Sequence, residues 1–228
     1  MYSKKDKFIY VHLPKCGGTF IKHYLLSNID SEYSVNQNQE YYHEKYNTTC
    51  ERALSAIIQE VSEWEDYFKF TIVRNPFDRV VSMFCFLGGW KYDYFIKNDL
   101  RPPIFEHLQV FHEFYKNEDF DGFIEEAYKK ERIKKFHAGY FQNYVDRLSI
   151  KGEVRIDKYY KLEDIDFCVQ DLCEKLKFNS DRAFSDWRKN SSSEYKSKNK
   201  YQDFYSDYSR DLITTHFKKD LDYFKYEF

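Results

Sequence analysis

What this chain has little of narrows it before any motif is read. No apolar run approaches the roughly 20 residues that a membrane-spanning helix needs, and residues 1–7 are too polar for a secretory leader. No single sign of charge dominates: 36 Lys and Arg stand against 38 Asp and Glu, which gives no global basic field and excludes nucleic acid as the expected partner. The five cysteines, Cys16, Cys50, Cys85, Cys168 and Cys173, form no CxxC pair and no metal-ligand spacing. Their odd count and scatter predict free thiols in a reducing compartment, and with the polar start this reads as a soluble cytoplasmic protein with no bound metal. Glycine and proline are scarce, 7 and 4 residues, which excludes low-complexity and collagen-like chains. Each one present therefore punctuates the fold where it stands.

What is there is a packed globule rich in rings. Hydrophobic residues make up 42% of the 228, including 22 Tyr and 22 Phe, enough for the core of a single domain spanning 1–228. Core packing is the default role for any one ring, with a sugar platform as the alternative. Periodicity predicts strand 8–13, helix 19–27, a polar stretch to about 48, helix 50–62, strand 69–73 and helix 77–86. Helical patterns follow at 104–116, 120–135 and 138–148, then strand 154–158, helix 162–177 and a terminal helix 203–219. Strands alternating with helices imply an α/β fold: a central parallel sheet flanked by helices, with ligands at the carboxyl ends of the strands. Residues 88–118 fit no motif and read as an acceptor-facing insertion; 179–200, rich in Ser, Asn and Lys, reads as a loop.

Residues 8–19 carry the first chemistry. The apolar run Phe8, Ile9, Tyr10, Val11, Leu13 ends at Pro14, which removes a ladder donor. Gly17 and Gly18 let the backbone approach an anion, and Thr19 opens a helix whose amides and positive dipole end would face it. Lys15 adds a mobile charge. Cys16 reads as a small neutral filler, with a reactive thiol as the alternative. A kinase P-loop places its Lys after the glycines, whereas here Lys15 precedes them.

The second chemical segment is residues 68–86. Its strand ends at Arg74-Asn75-Pro76, since Pro76 cannot pair in a central ladder and disfavours helix at Asn75. Val80, Val81, Phe84 and Cys85 then mark an inward helical stripe. Arg74 and Ser82 can both reach an anion beside the sheet, and the planar fork of Arg suits phosphate. Arg79 reads as a solvated helix charge.

Pro14-Lys15-Cys16-Gly17-Gly18-Thr19 followed by Arg74-Asn75-Pro76-Phe77-Asp78-Arg79-Val80-Val81-Ser82 resembles the paired nucleotide-binding motifs of the sulfotransferases, most closely the Golgi-type carbohydrate sulfotransferases and their bacterial relatives. His137-Ala138-Gly139-Tyr140-Phe141-Gln142, residues 154–164, and the close Asp220, Phe224, Tyr226, Phe228 resemble later parts of the same family. The resemblance implies a P-loop-like cradle for 3′-phosphoadenosine-5′-phosphosulfate (PAPS), whose product is adenosine 3′,5′-bisphosphate. Lys15, Cys16, Gly17, Gly18 and Thr19 would hold the 5′ side; Arg74 and Ser82 would hold the 3′-phosphate. The acceptor it implies is a hydroxyl on a saccharide, with lipid, peptide tyrosine or small alcohol left open. The late Ser191, Ser192, Ser193, Lys196 and Lys198 resemble a loop closing over the nucleotide, or a solvated linker.

Sulfuryl transfer needs charge on the departing phosphate oxygen and a base for the acceptor proton. Lys15 fits the first role. His43 is the first choice for the second, because the related uronyl 2-O-sulfotransferases place a catalytic His in the corresponding interval. Glu44 is an alternative base or its orienting partner, and His137 comes next. His12 is expected to line or brace the cradle. The rival readings are a P-loop-like kinase requiring Mg²⁺ and a noncatalytic nucleotide- or glycan-binding module.

Overall fold

The computed structural model describes residues 1–29, 52–102, 104–129, 138–178 and 200–228. These residues fall into two compact units, one of Met1–Arg74 with Tyr144–Asn190, the other of Asn75–Asn143 with Ser191–Phe228.

The first unit is built on a sheet. Strands β1 (Tyr2–Ser3), β2 (Phe8–Val11), β3 (Phe68–Val73) and β6 (Lys158–Lys161) lie in the order β1-β2-β3-β6. β2, β3 and β6 run parallel, as expected; β1 adds an antiparallel edge that the sequence pattern did not suggest. The registers Tyr10↔Phe70 and Ile72↔Tyr160 put Phe8, Tyr10, Phe68, Phe70 and Tyr160 on one face. Tyr10 and Phe70 stack there at 5.3 Å, and Phe70 meets Tyr160 edge-on at 6.2 Å. Ile9, Val11 and Val73 on the other face are equally buried, as a parallel sheet covered on both sides requires. Helix α1 (Gly18–Ile29) follows β2, and of the helix expected over 50–62 the described residues form the short α2 (Leu54–Ile57) with a 3-10 turn at Ile58–Glu60.

The strand expected at 154–158 starts later. Glu153–Val154 instead forms β5, paired with β4 (Ser149–Ile150) in a separate two-stranded ribbon. Asp157 intervenes: its amide donates to the Lys69 carbonyl at 2.8 Å, and its carboxylate accepts from the Lys69 amide at 2.6 Å. A side chain thus stands in for a ladder partner, and regular pairing begins only at Lys158. The helix expected over 138–148 is two short ones, α7 (Ala138–Phe141) and α8 (Tyr144–Leu148), in different units. After β6, a 3-10 turn at Leu162–Asp164 leads into α9 (Ile165–Leu176), closed by Lys177 in the left-handed region.

The second unit is helical. Asn75 caps α3 (Pro76–Phe84) by accepting from the Phe77 amide at 3.0 Å, with Pro76 at the first helical position. A π-helical stretch, Cys85–Trp90, continues into α4 (Lys91–Lys97). Gly88 is needed there: a Cβ would lie 2.5 Å from the Tyr115 Cβ and 2.6 Å from the Phe111 carbonyl oxygen on α5 (Phe105–Lys116). Phe111 and Leu108 on α5, inside the 88–118 segment, belong to the core that surrounds Phe84. That core also holds Phe120, Phe123 and Ile124 of α6 (Phe120–Ile124). The terminal helix expected over 203–219 divides at Phe217 into α10 (Asp207–His216) and α11 (Lys218–Phe224). Ser206 caps α10 by accepting from the Ser209 amide, and Phe217 at the break is fully buried.

Arg79 corrects the sequence reading. It is not a solvated charge: it is 0% exposed and pairs with Asp220, itself 1% exposed, at 3.1 Å. Its guanidinium also sits 4.2 Å from the Phe217 ring centre.

Candidate functional site

The loop after β2 has the shape that its residues call for. Pro14 is buried, Cys16 is a buried free thiol, and Lys15 and Gly17 take positive φ of 61° and 71°. The Ile21 amide donates to the Gly17 carbonyl at 3.2 Å, which starts α1 at that turn. The amides that open a helix lack a carbonyl one turn back, so this end suits an anion. Gly17 is required twice over: its φ is left-handed, and a Cβ would lie 2.7 Å from Leu162 Cδ1. Gly18 is required by His12, whose Nε2 would stand 1.7 Å from a Cβ there. Thr19 is exposed on the first turn.

His12 therefore braces the cradle, as expected, from just beyond the end of β2. It stacks on Tyr10 at 5.9 Å. Burial first, then the positive amino terminus, Lys22 and Arg147, push its imidazole down to about 3, so His12 is a neutral ring at physiological pH. Burial and Lys22 likewise bring His23, on α1, to about 4.

Arg74, one residue past β3, reaches the same loop. Its Nη1 donates to the Lys15 carbonyl at 3.1 Å. Adjacent parallel strands thus bring Arg74 of the second motif onto the backbone of the first, at the carboxyl ends of β2 and β3. Ser82 belongs to the other unit, on α3, where it is 3% exposed. His43, Glu44, His137, Ser191, Ser192, Ser193, Lys196 and Lys198 lie outside the described residues.

Three residues at the cradle escaped the sequence reading. The Tyr144 hydroxyl donates to the Pro14 carbonyl. Arg147, one turn along α8, is buried, and its charge is felt at His12. Leu162 closes on Gly17. None of the three left a trace in the pattern: α8 reads Tyr144-Val145-Asp146-Arg147-Leu148, where Arg147 stands beside an acid as any solvated helix charge does. Among the described residues no group of three His, Cys, Asp or Glu side chains is arranged to hold a metal.

The family model described as "Sulfotransferase family" matches residues 1–227. The chain belongs to the sulfotransferase family. Among its relatives is "Carbohydrate sulfotransferase 10" of Xenopus laevis, 32% identical over 108 residues, which cover 45% of this chain and 30% of that protein. The chain thus matches under a third of the length of that curated relative. No solved structure matches. Family membership agrees with the reading from the paired motifs and with the α/β fold that carries them. It sets aside the kinase alternative, as the position of Lys15 ahead of the glycines already suggested. No helix among the described residues is long and apolar enough to cross a membrane.

Proposed function

We propose that this sulfotransferase moves a sulfuryl group from PAPS to a hydroxyl on a saccharide. The observation that carries the reading is the contact of the Arg74 guanidinium with the Lys15 carbonyl at one glycine-lined helix start. The residues present fit such a donor. A bisphosphate nucleotide needs close backbone approach, which Gly17 and Gly18 give, and positive charge, which Lys15, Arg74 and the first turn of α1 give. The donor supplies an activated sulfur–oxygen bond to its 5′-phosphate. Transfer to the acceptor oxygen would leave the electron pair of that bond on the phosphate oxygen. Lys15 is assigned to stabilise the negative charge that would gather there. Arg74 and Ser82 are assigned to the 3′-phosphate and Cys16 and Thr19 to the walls of the 5′ side.

The acceptor proton goes to His43, with Glu44 and His137 as the alternatives to be separated by substitution. His12 is unsuited to that task, since its neutral ring is buried against Gly18 and accepts a proton only near pH 3. The saccharide acceptor is supported by the name of the Xenopus relative.

The test is transfer of labelled sulfate from PAPS to a panel of glycans. Lys15→Ala is expected to lower kcat by about 10²–10³-fold, the usual effect of removing one stabiliser of developing charge. Full activity in that variant would remove Lys15 from the mechanism. Turnover with ATP and Mg²⁺ in place of PAPS would overturn the donor.

A further inference from the structure

Two successive carbonyls of the cradle are held by side chains from outside the loop. The Pro14 carbonyl accepts the Tyr144 hydroxyl, and the Lys15 carbonyl accepts Arg74 Nη1 at 3.1 Å. These oxygens belong to the peptide planes on either side of the Lys15 α-carbon. Lys15 itself has φ of 61°, a left-handed conformation that a residue with a Cβ seldom adopts. Such a backbone persists where its surroundings over-determine it. Here the two flanking planes are each pinned by a donor.

We propose that Tyr144 is a positioning residue for sulfuryl transfer: by holding the Pro14–Lys15 peptide plane it fixes the left-handed turn that aims the Lys15 ammonium at the leaving oxygen. The inference rests on the role given to Lys15 above. Tyr144 is 1% exposed, so its ring is packed and its hydroxyl has a fixed place from which to donate. It opens α8, the helix that also carries Arg147, whose charge is felt at His12. Arg74 completes the arrangement from β3 and gains a second task besides its assigned phosphate. Catalytic groups act through placement, and a small misaiming of a charge costs rate while leaving the ground-state complex nearly intact.

Tyr144→Phe keeps the ring and removes only the donor, so the full-length chain serves for the test. At saturating PAPS, kcat is expected to fall about tenfold, the effect of one lost hydrogen bond, with the acceptor KM unchanged. In a Lys15→Ala background the same substitution is expected to change kcat less than about twofold, because a residue acting through Lys15 has nothing left to aim. Hydrogen exchange at the amides of residues 15–18 is expected to quicken about tenfold in Tyr144→Phe. Multiplicative losses in the double variant, or a fall confined to KM, would overturn the positioning role. Unchanged exchange would overturn it as well, even in a protein that transferred no sulfate. A wild-type chain that turns over no acceptor, yet shows faster loop exchange in Tyr144→Phe, would instead refute the proposed function and leave the clamp standing.

Discussion

Arg79 and Asp220 stand 141 residues apart in sequence and meet fully out of water, their contact 3.1 Å long, with the face of Phe217 against the guanidinium. Removing one member of a buried pair leaves the other charge without compensation, a far greater loss than the net worth of the pair. Asp220→Ala is expected to lower unfolding free energy by about 3–5 kcal/mol, measured by urea denaturation. Replacing both residues with apolar ones of similar volume is expected to cost much less. The pair shows what one-dimensional reading misses. From sequence Arg79 reads as solvated because it lies outside the apolar stripe of Val80, Val81, Phe84 and Cys85. In the structure Phe77 and Met83 are buried too, so α3 is covered almost all round. A charge on such a helix must be paired, and that was the available signal. The partner could not be named, since nothing local ties residue 79 to residue 220.

At the scale of elements, the loop joining β2 to α1 was legible because its residues are chemically extreme: a Pro that stops a ladder, two Gly that admit a backbone, a Lys beside them. Gly18→Ala is expected to abolish binding of adenosine 3′,5′-bisphosphate in calorimetry, because its methyl would drive into the His12 ring at a distance of 1.7 Å. Gly152→Ala is the control. Gly152 also has positive φ, 85°, but a Cβ there meets nothing within 4 Å. Its cost is confined to backbone strain of about 1–2 kcal/mol, with binding intact. Less legible were the interruptions. Asp157 delays β6 by lending its carboxylate to the Lys69 amide, and an acidic residue at the start of a strand does not announce which amide it will take. Tyr144 is silent for a related reason. Its acceptor is a main-chain carbonyl, a group that every residue carries. The loop was thus readable in its glycines and its proline, and unreadable in the contacts that hold them.

For the molecule as a whole, His12 and His23 set a pH dependence. An ordinary imidazole titrates at 6.5; His12 is held down to about 3 and His23 to about 4. Between those values and 6.5 the unfolded chain binds protons that the folded chain refuses, so stability is full above about pH 6.5 and falls as the pH drops. Each such histidine contributes about 1.4 kcal/mol per pH unit inside its window. His23→Gln is expected to remove about half of this histidine-dependent slope between pH 6 and pH 4.5, read from denaturation midpoints, with little change at pH 8. A parallel acid slope in the variant would show that His23 protonates freely in the native state. The division of the chain has a different kind of consequence. Arg74 closes the first segment of one unit and Asn75 opens the other, and each unit is completed only by a second, later segment. During synthesis, then, the strand pair β2–β3 emerges long before β6, and the three parallel strands must wait for residues 158–161. The second unit must wait longer, until Asp220 can reach Arg79. A ribosome that has made residues 1–143 carries the Lys15 loop and Arg74 but neither unit entire, and the aromatic faces of β2 and β3 are at that moment a matter for chaperones.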